Sequence, residues 1–182
     1  MPFPLSLGCH GGNPAFAYIY MHHFGVPDQT CQAYQAKNLK CAPLGFCEDC
    51  APTNQTGPEN GSCKKVDKPA MWYAGDHGSV SGVDKMKAEI FARGPIECGI
   101  DATAGFEAYT GGIYSEKKLF AKVNHAISIA GWGSENGVAY WIGRNSWGTY
   151  WGEQGWFRIK MGADNLSVES SCNWAVPSST KP

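Results

Sequence analysis

Residues 123–156, VNHAISIAGWGSENGVAYWIGRNSWGTYWGEQGW, constrain the fold more than any other stretch of this chain. They read as an antiparallel β-hairpin. Val123–Trp132 is apolar with period-2 alternation, and Ala126, Ile127, Ile129 and Ala130 surround the single imidazole of His125. Gly133–Gly137 reads as the turn, with Asn136-Gly137 as its strongest signal, and Ala139–Arg144 as the return strand. With Trp132 facing Val138 across the turn, His125 falls opposite Asn145. Directly opposed side chains in an antiparallel pair have Cβ atoms only about 5 Å apart. An amide there can accept a hydrogen bond from one ring nitrogen, fix the tautomer and leave the other nitrogen to manage a proton. That is two-thirds of a nucleophilic triad. The residues alone leave a second reading open, a core histidine at the end of a strand.

NHAISIAGWG followed by YWIGRNSWGTYWGEQGWFRI resembles the His and Asn blocks of the papain family of cysteine peptidases. GPIECGIDA resembles that family's G-P-hydrophobic strand, and YTGGIY at Tyr109–Tyr114 its Y-x-G-G-I-Y/F loop. The tract Cys31–Cys63 and the phrases CHGGN, YQAK and DKMKAEIFARGPIECGI are most similar to the cathepsin X/Z branch. The resemblance runs from Cys9 to Trp174. It implies an α+β papain-like fold of two domains: residues 10–70 as the remnant of the helical domain with disulfide-rich loops, and 71–182 as the β-barrel domain, with a cleft between them. It implies His125 as general base, Asn145 as the residue that orients it, and Trp147 as a shield over their hydrogen bond. Cys9-x-Gly11-Gly12 resembles the family's substrate-cleft motif, in which Gly12 would pair its backbone with an extended substrate and Gly11 would permit close approach. From the residues alone that segment is a plain turn, with His10 exposed.

The nucleophile is the gap in this pattern. The family's C-G-S-C-W signature occurs nowhere in the sequence. In papain-like enzymes the His and Asn follow the Cys by roughly 130–150 residues, and counting back from His125 by that distance passes Met1. The oxyanion-hole Gln falls off the chain with it. The expectation is therefore an N-terminally truncated peptidase, inactive alone, whose partners are a peptide or protein substrate and the missing N-terminal segment of the same enzyme. The branch implies carboxypeptidase action in the complete form, through a His-bearing insertion that this sequence also lacks. The alternative is a secreted pseudo-peptidase that binds peptides without cutting them; a third reading is a disulfide-rich structural domain.

Cysteines and sequons place the chain in an oxidising compartment. Eight cysteines and three N-x-S/T sequons, at Asn54, Asn60 and Asn165, point to the secretory pathway, lysosomal or secreted, with those asparagines as glycosylation candidates. Met1–Leu7 makes no convincing signal peptide. Cys31–Cys63 is loop-rich and holds five cysteines. Cys47-x2-Cys50 with Cys41 or Cys63 would suit zinc, but the sequons and the lack of a nearby His favour disulfides over a metal. The resemblance implies Cys31–Cys47, Cys50–Cys63 and Cys98–Cys172, and leaves Cys9 and Cys41 without partners. No cofactor is implied. A net charge of −1 with both signs mixed gives no argument for nucleic acid or an anionic membrane, and the expected state is a monomer.

The remaining elements follow from periodicity and caps. Asn13–Phe24 reads as a helix, with Asn13 as N-cap, Pro14 in the first turn and Gly25 past the end. Phe16, Ile19, Tyr20 and His23 would form its buried face, and His22 and His23 would be surface residues. Lys64–Ser81 reads as an extended connection, Val83–Arg93 as a helix stopped by Gly94-Pro95, Ile96–Ile100 as a strand, and Gly155–Lys160 as another. Asn165–Val176 closes the chain, with Cys172 positioned to staple it back. A chain holding only part of the helical domain is expected to be less stable than a full enzyme, even with three disulfides worth about 2–4 kcal/mol each. Calorimetry tests this: a single cooperative melt at high temperature would contradict it.

Overall fold

The structure is a computed structural model, and it describes residues 11–31, 34, 47–50 and 63–182, with the side chains of Cys50 and Cys63 outside that set. The chain divides into two compact units, residues 1–75 with 177–182, and residues 76–176.

In the first unit, helix α1 spans Pro14–Phe24. It starts where the sequence says it should: Asn13 Oδ1 accepts from the Ala15 N–H at 3.0 Å, and Pro14 fills the first position, where no N–H is needed. Gly25, at φ 70°, ends it and donates its N–H to Met21 O at 3.0 Å. The expected buried face is corrected. No α1 residue is buried; of the expected face Phe16 and Ile19 are half-buried but Tyr20 and His23 are exposed, and Pro14, Ala15, Tyr18, Met21 and His22 are as sheltered as Phe16 and Ile19. His22 is therefore not a surface residue; its Nδ1 lies 2.8 Å from Ala74 O. The cause is that α1 is apolar nearly all round, so hydrophobicity does not mark one face. Strands β1 (Glu48–Cys50) and β2 (Cys63–Lys65) form a two-stranded antiparallel ribbon in which Cys50 and Cys63 are register partners. The expected Cys50–Cys63 bond rests on side chains outside the described residues. Cys31 and Cys47 are disulfide-bonded.

A seven-stranded sheet follows, with α2 (Val83–Arg93) and the single turn α3 (Ala104–Glu107) between its strands. Its strands are β3 (Tyr73–Val80), β4 (Ile96–Ile100), β5 (Ile113–Tyr114), β6 (His125–Glu135), β7 (Val138–Arg144), β8 (Trp156–Lys160) and β9 (Cys172–Ser178), in the order β3-β9-β4-β6-β7-β8-β5. The extended connection expected over Lys64–Ser81 is thus corrected, because β3 occupies its second half as an edge strand. YAGDHGSV lacks the alternation that marks a strand. Met86 and Ile90 of α2 pack with Ile96, Cys98, Ile100, Ile127, Ile129, Trp141, Phe157 and Ile159 in one core. Cys98 faces Cys172 in the β4–β9 ladder, and the two are disulfide-bonded. Among the described residues no helix is long and apolar enough to cross a membrane.

The hairpin is real but its register differs from the expectation. β6 runs on through Glu135, and the turn is only Asn136-Gly137, at φ 51° and 78°. Positive φ at both central residues is the type I′ geometry that matches strand twist. Glu135, not Trp132, faces Val138, and Trp132 faces Trp141. A β-bulge between Ile129 and Gly131 then shifts the register by one, so that Ile129 faces Gly143 and Ser128 faces Arg144. Gly133 and Ser134 look like turn residues by composition, yet they are strand.

Gly143 is required by packing. A Cβ there would lie 2.1 Å from Phe157 Cζ, inside a ring that is fully buried. At Gly131 the nearest atom to such a Cβ, Ile142 Cδ1, is 4.0 Å away. Gly143→Ala is expected to cost about 1–3 kcal/mol or more by overpacking, and Gly131→Ala far less. Urea midpoints for the two variants check this, and equal losses would contradict it.

Candidate active site

The site grows out of the bulged hairpin. His125 is the first residue of β6 and faces Ile100 of β4. Asn145 is the first residue beyond β7, and its N–H donates to Gly155 O at 2.9 Å. The two are not directly opposed, which corrects the expected pairing. Below the bulge the register sets Asn145 level with Ile127, one diagonal step from His125. Diagonal neighbours lie about 7–8 Å apart at Cα, a span that long side chains can close. They do close it: His125 Nε2 is 2.9 Å from Asn145 Oδ1.

That contact fixes a proton. The Ser146 N–H also meets Asn145 Oδ1, at 2.7 Å. A backbone N–H can only donate, so the amide atom facing both neighbours must be the oxygen. The oxygen can only accept, so the proton of the imidazole sits on Nε2. Nδ1 is then the atom with a lone pair to take up a proton. Asn145 is 9% exposed, and its Nδ2 is buried without a hydrogen-bond partner among the described residues.

Aromatic side chains enclose the pair. Trp147 stacks on the imidazole, with ring centroids 4.7 Å apart and planes 24° from parallel. Trp147 is held edge-on by Trp151 at 5.1 Å and Phe106 at 6.0 Å. The buried indole of Trp151 donates to Glu107 O at 2.8 Å, which ties the aromatic loop to α3. Beyond it, the Arg158 guanidinium lies 2.7 Å from Glu153 and holds that carboxyl below the usual range, while Glu153 accepts the Gly112 N–H at 3.0 Å.

Two supports of His125 went unread in the sequence. Asn124 donates its N–H to Ile100 O at 3.1 Å and accepts the Ala102 N–H on Oδ1 at 2.8 Å. Asp101, only 3% exposed, accepts from Lys118 Nζ at 2.6 Å and from the Lys122 N–H at 2.7 Å. Together they pin the segment entering His125 against the end of β4. The signal lay in the polar residues of GIDA and VNH, Asp101 and Asn124.

Of the expected site residues, the structure brings together His125, Asn145 and Trp147. Gly11 and Gly12 are exposed and belong to the first unit, with Gly11 at φ 103° and Gly12 in an isolated backbone bridge. Cys9, His10, Cys41, Asn54 and Asn60 lie outside the described residues. Asn165 is corrected as a glycosylation candidate. It is 5% exposed, its Oδ1 accepts the Glu116 N–H at 3.0 Å, and its Nδ2 donates to Lys160 O at 3.3 Å. A glycan needs an amide open to solvent.

Comparison with known proteins gives the family. The family model for the papain family cysteine protease matches residues 4–176. The chain is 47% identical over 178 residues to a cathepsin Z of Onchocerca volvulus, covering 93% of this chain and 55% of that protein. It is 35% identical over 173 residues to a gut-specific cysteine proteinase of Caenorhabditis elegans, covering 90% of this chain and 51% of the relative. Among solved structures, procathepsin L2 from the larval midgut of Tenebrio molitor superposes with a TM-score of 0.74 at 25% identity, over 95% of this chain and 50% of that one. Bromelain from Ananas comosus, in complex with the inhibitor E64, gives 0.70 at 23% identity, over 94% and 72%. The chain spans about half the length of the curated relatives it matches.

The Asp101 contact has a pH signature. The Lys118 ammonium, and then the Lys122 N–H, hold the Asp101 carboxyl below its ordinary value. A depressed carboxyl contributes stability that is fully present above its unfolded pKa, about 3.9, and is lost as pH falls through the native value. Asp101→Asn should therefore lower the urea midpoint at neutral pH, and the gap to the parent should close below about pH 4. A gap that persists unchanged at pH 2–3 would contradict this.

Proposed function

This chain belongs to the papain family of cysteine proteases, and from that premise we propose that it supplies the proton-handling half of a peptide-bond hydrolase. The observation that carries the reading is the contact of His125 Nε2 with Asn145 Oδ1 at 2.9 Å, with the amide orientation fixed by Ser146.

In this reading Asn145 keeps the imidazole proton on Nε2 and leaves Nδ1 to face a cysteine thiol. Nδ1 takes the thiol proton, and the resulting thiolate–imidazolium pair is stabilised by mutual charge. The thiolate attacks the scissile carbonyl, and the C–N bond breaks as imidazolium returns its proton to the leaving amine. Water, deprotonated at Nδ1, then hydrolyses the thioester and regenerates the thiol. Trp147, stacked on the ring, keeps solvent off the His125–Asn145 hydrogen bond and so preserves its strength.

The resemblance implies a nucleophilic cysteine in a C-G-S-C-W block, which these 182 residues do not contain. Among the described residues, Cys31, Cys47, Cys98 and Cys172 are disulfide-bonded and carry no thiolate. The substrate class is a peptide or protein chain. Removal of C-terminal residues is the finer reading that follows from likeness to the cathepsin X/Z branch. Two disulfides among the described residues support an oxidising location, lysosomal or extracellular.

The test is to express this sequence together with its upstream coding region and assay peptide hydrolysis. Replacement of the upstream Cys should abolish turnover. His125→Ala should lower kcat/KM by about 10²–10⁴-fold. Asn145→Ala should lower kcat with little change in KM, because it acts through His125. Full activity of His125→Ala would overturn the reading.

A further inference from the structure

The loop between β5 and β6 carries a feature that peptide hydrolysis does not use. Leu119 and Phe120 are adjacent, apolar and each 88% exposed. The loop that carries them is held at its base. The buried carboxylate of Asp101 binds the Lys118 ammonium on one side of the pair and the Lys122 N–H on the other. The turn presents both side chains outward on a short anchored tip.

The charged residues of the tip itself, residues 117–122, are all cationic. Lys117, Lys118 and Lys122 are all exposed. Two acids close to them are turned inward: Asp101 is 3% exposed, and Glu116 is engaged by the hydroxyls of Thr103, at 2.6 Å, and Tyr114. At the base lies a cavity of about 470 Å³ whose lining includes Lys117, Lys118 and Lys160 together with two acids, Glu116 and an exposed Asp164 whose carboxylate accepts from the Glu169 N–H and the Ser170 hydroxyl. A convex apolar tip has no groove of its own to fill. Ringed by cations, it suits an interface that is apolar below and anionic above.

We propose that the Leu119–Phe120 tip docks on an anionic membrane surface. The two side chains enter the acyl boundary, and Lys117 and Lys122 meet headgroup phosphates and carboxylates. Such attachment is peripheral and reversible, since two side chains bury little area and each nearby Lys adds only a small electrostatic gain. The whole-chain charge of −1 conceals this cluster because it averages over 182 residues. The proposal is independent of the peptidase reading, as the side chains that would meet the membrane, Lys117, Leu119, Phe120 and Lys122, are not among those that hold His125; Lys118, which Asp101 binds, is left unaltered in the test.

Co-sedimentation with vesicles tests it, using the full 182-residue chain. Vesicles of phosphatidylcholine mixed with phosphatidylserine should carry the chain down, and phosphatidylcholine alone should not. The L119S/F120S double variant should lose at least about tenfold in partitioning, and K117Q/K122Q roughly tenfold or more. All four side chains are exposed, so near-UV dichroism should match the parent. A variant-free check is salt: about 0.5 M sodium chloride should release the parent chain, because screening weakens exposed charge pairs. Binding that ignores phosphatidylserine, or that survives L119S/F120S unchanged, overturns the proposal. No vesicle binding at all also overturns it, and would favour a protein groove as the tip's partner.

Discussion

One extra residue in β6 decides what surrounds His125. Strand side chains alternate between faces, so a register shift of one residue moves every side chain on one strand relative to its partner. From the Asn136-Gly137 turn down to Gly131, the ladder runs in one register; below the bulge it runs one residue out of step. Only the shifted register puts Ile127, Ile129, Trp141, Gly143 and Asn145 on the same inward face, where all five are buried. His125 shares that face. Without the bulge, Asn145 would be level with Ser128 and the imidazole would point to the other side of the sheet. The hydrogen bond and the Trp147 stack both follow from that one irregularity.

Much of this was legible in the residues, and what was not has identifiable causes. α2 lies over Val83–Arg93 as read, because its apolar spacing is bounded by glycine on both sides. β4 lies over Ile96–Ile100 for similar reasons. The association of His125 with Asn145 was also legible, though by a pairing that does not occur. A bulge leaves no mark in composition, so the diagonal route could not be read. Asn165 shows the reverse failure: a three-residue motif states what an enzyme could modify, but not that the side chain is spent on Glu116 and Lys160. In α1 nearly uniform apolarity hid which side chains are sheltered.

Buried carboxylates link the site to the rest of the second unit. Glu169 is 7% exposed and accepts from the Trp141 indole at 2.8 Å, the Gly162 N–H at 2.7 Å and the Asp164 N–H at 2.9 Å. A charged group so enclosed persists only when its lone pairs are filled. It fixes the turn leading to Asn165, whose amide holds the start of the β5–β6 loop, while Asp101 holds that loop's end. The path into His125 is thus secured at each step by a polar group that cannot leave without stranding another.

The Cys98–Cys172 bond joins residues 74 apart in sequence, and the span it closes contains the exposed lysine-rich loop, the hairpin and Asn145. Where peptidases are concentrated, a protruding loop ending in basic and apolar residues invites cleavage. A nick there would separate the chain only on paper. Both pieces would stay tethered through sulfur, with β4 and β9 still paired and His125 still seated beside Asn145. Such a molecule would behave as a mature two-chain species, visible as two fragments only after reduction.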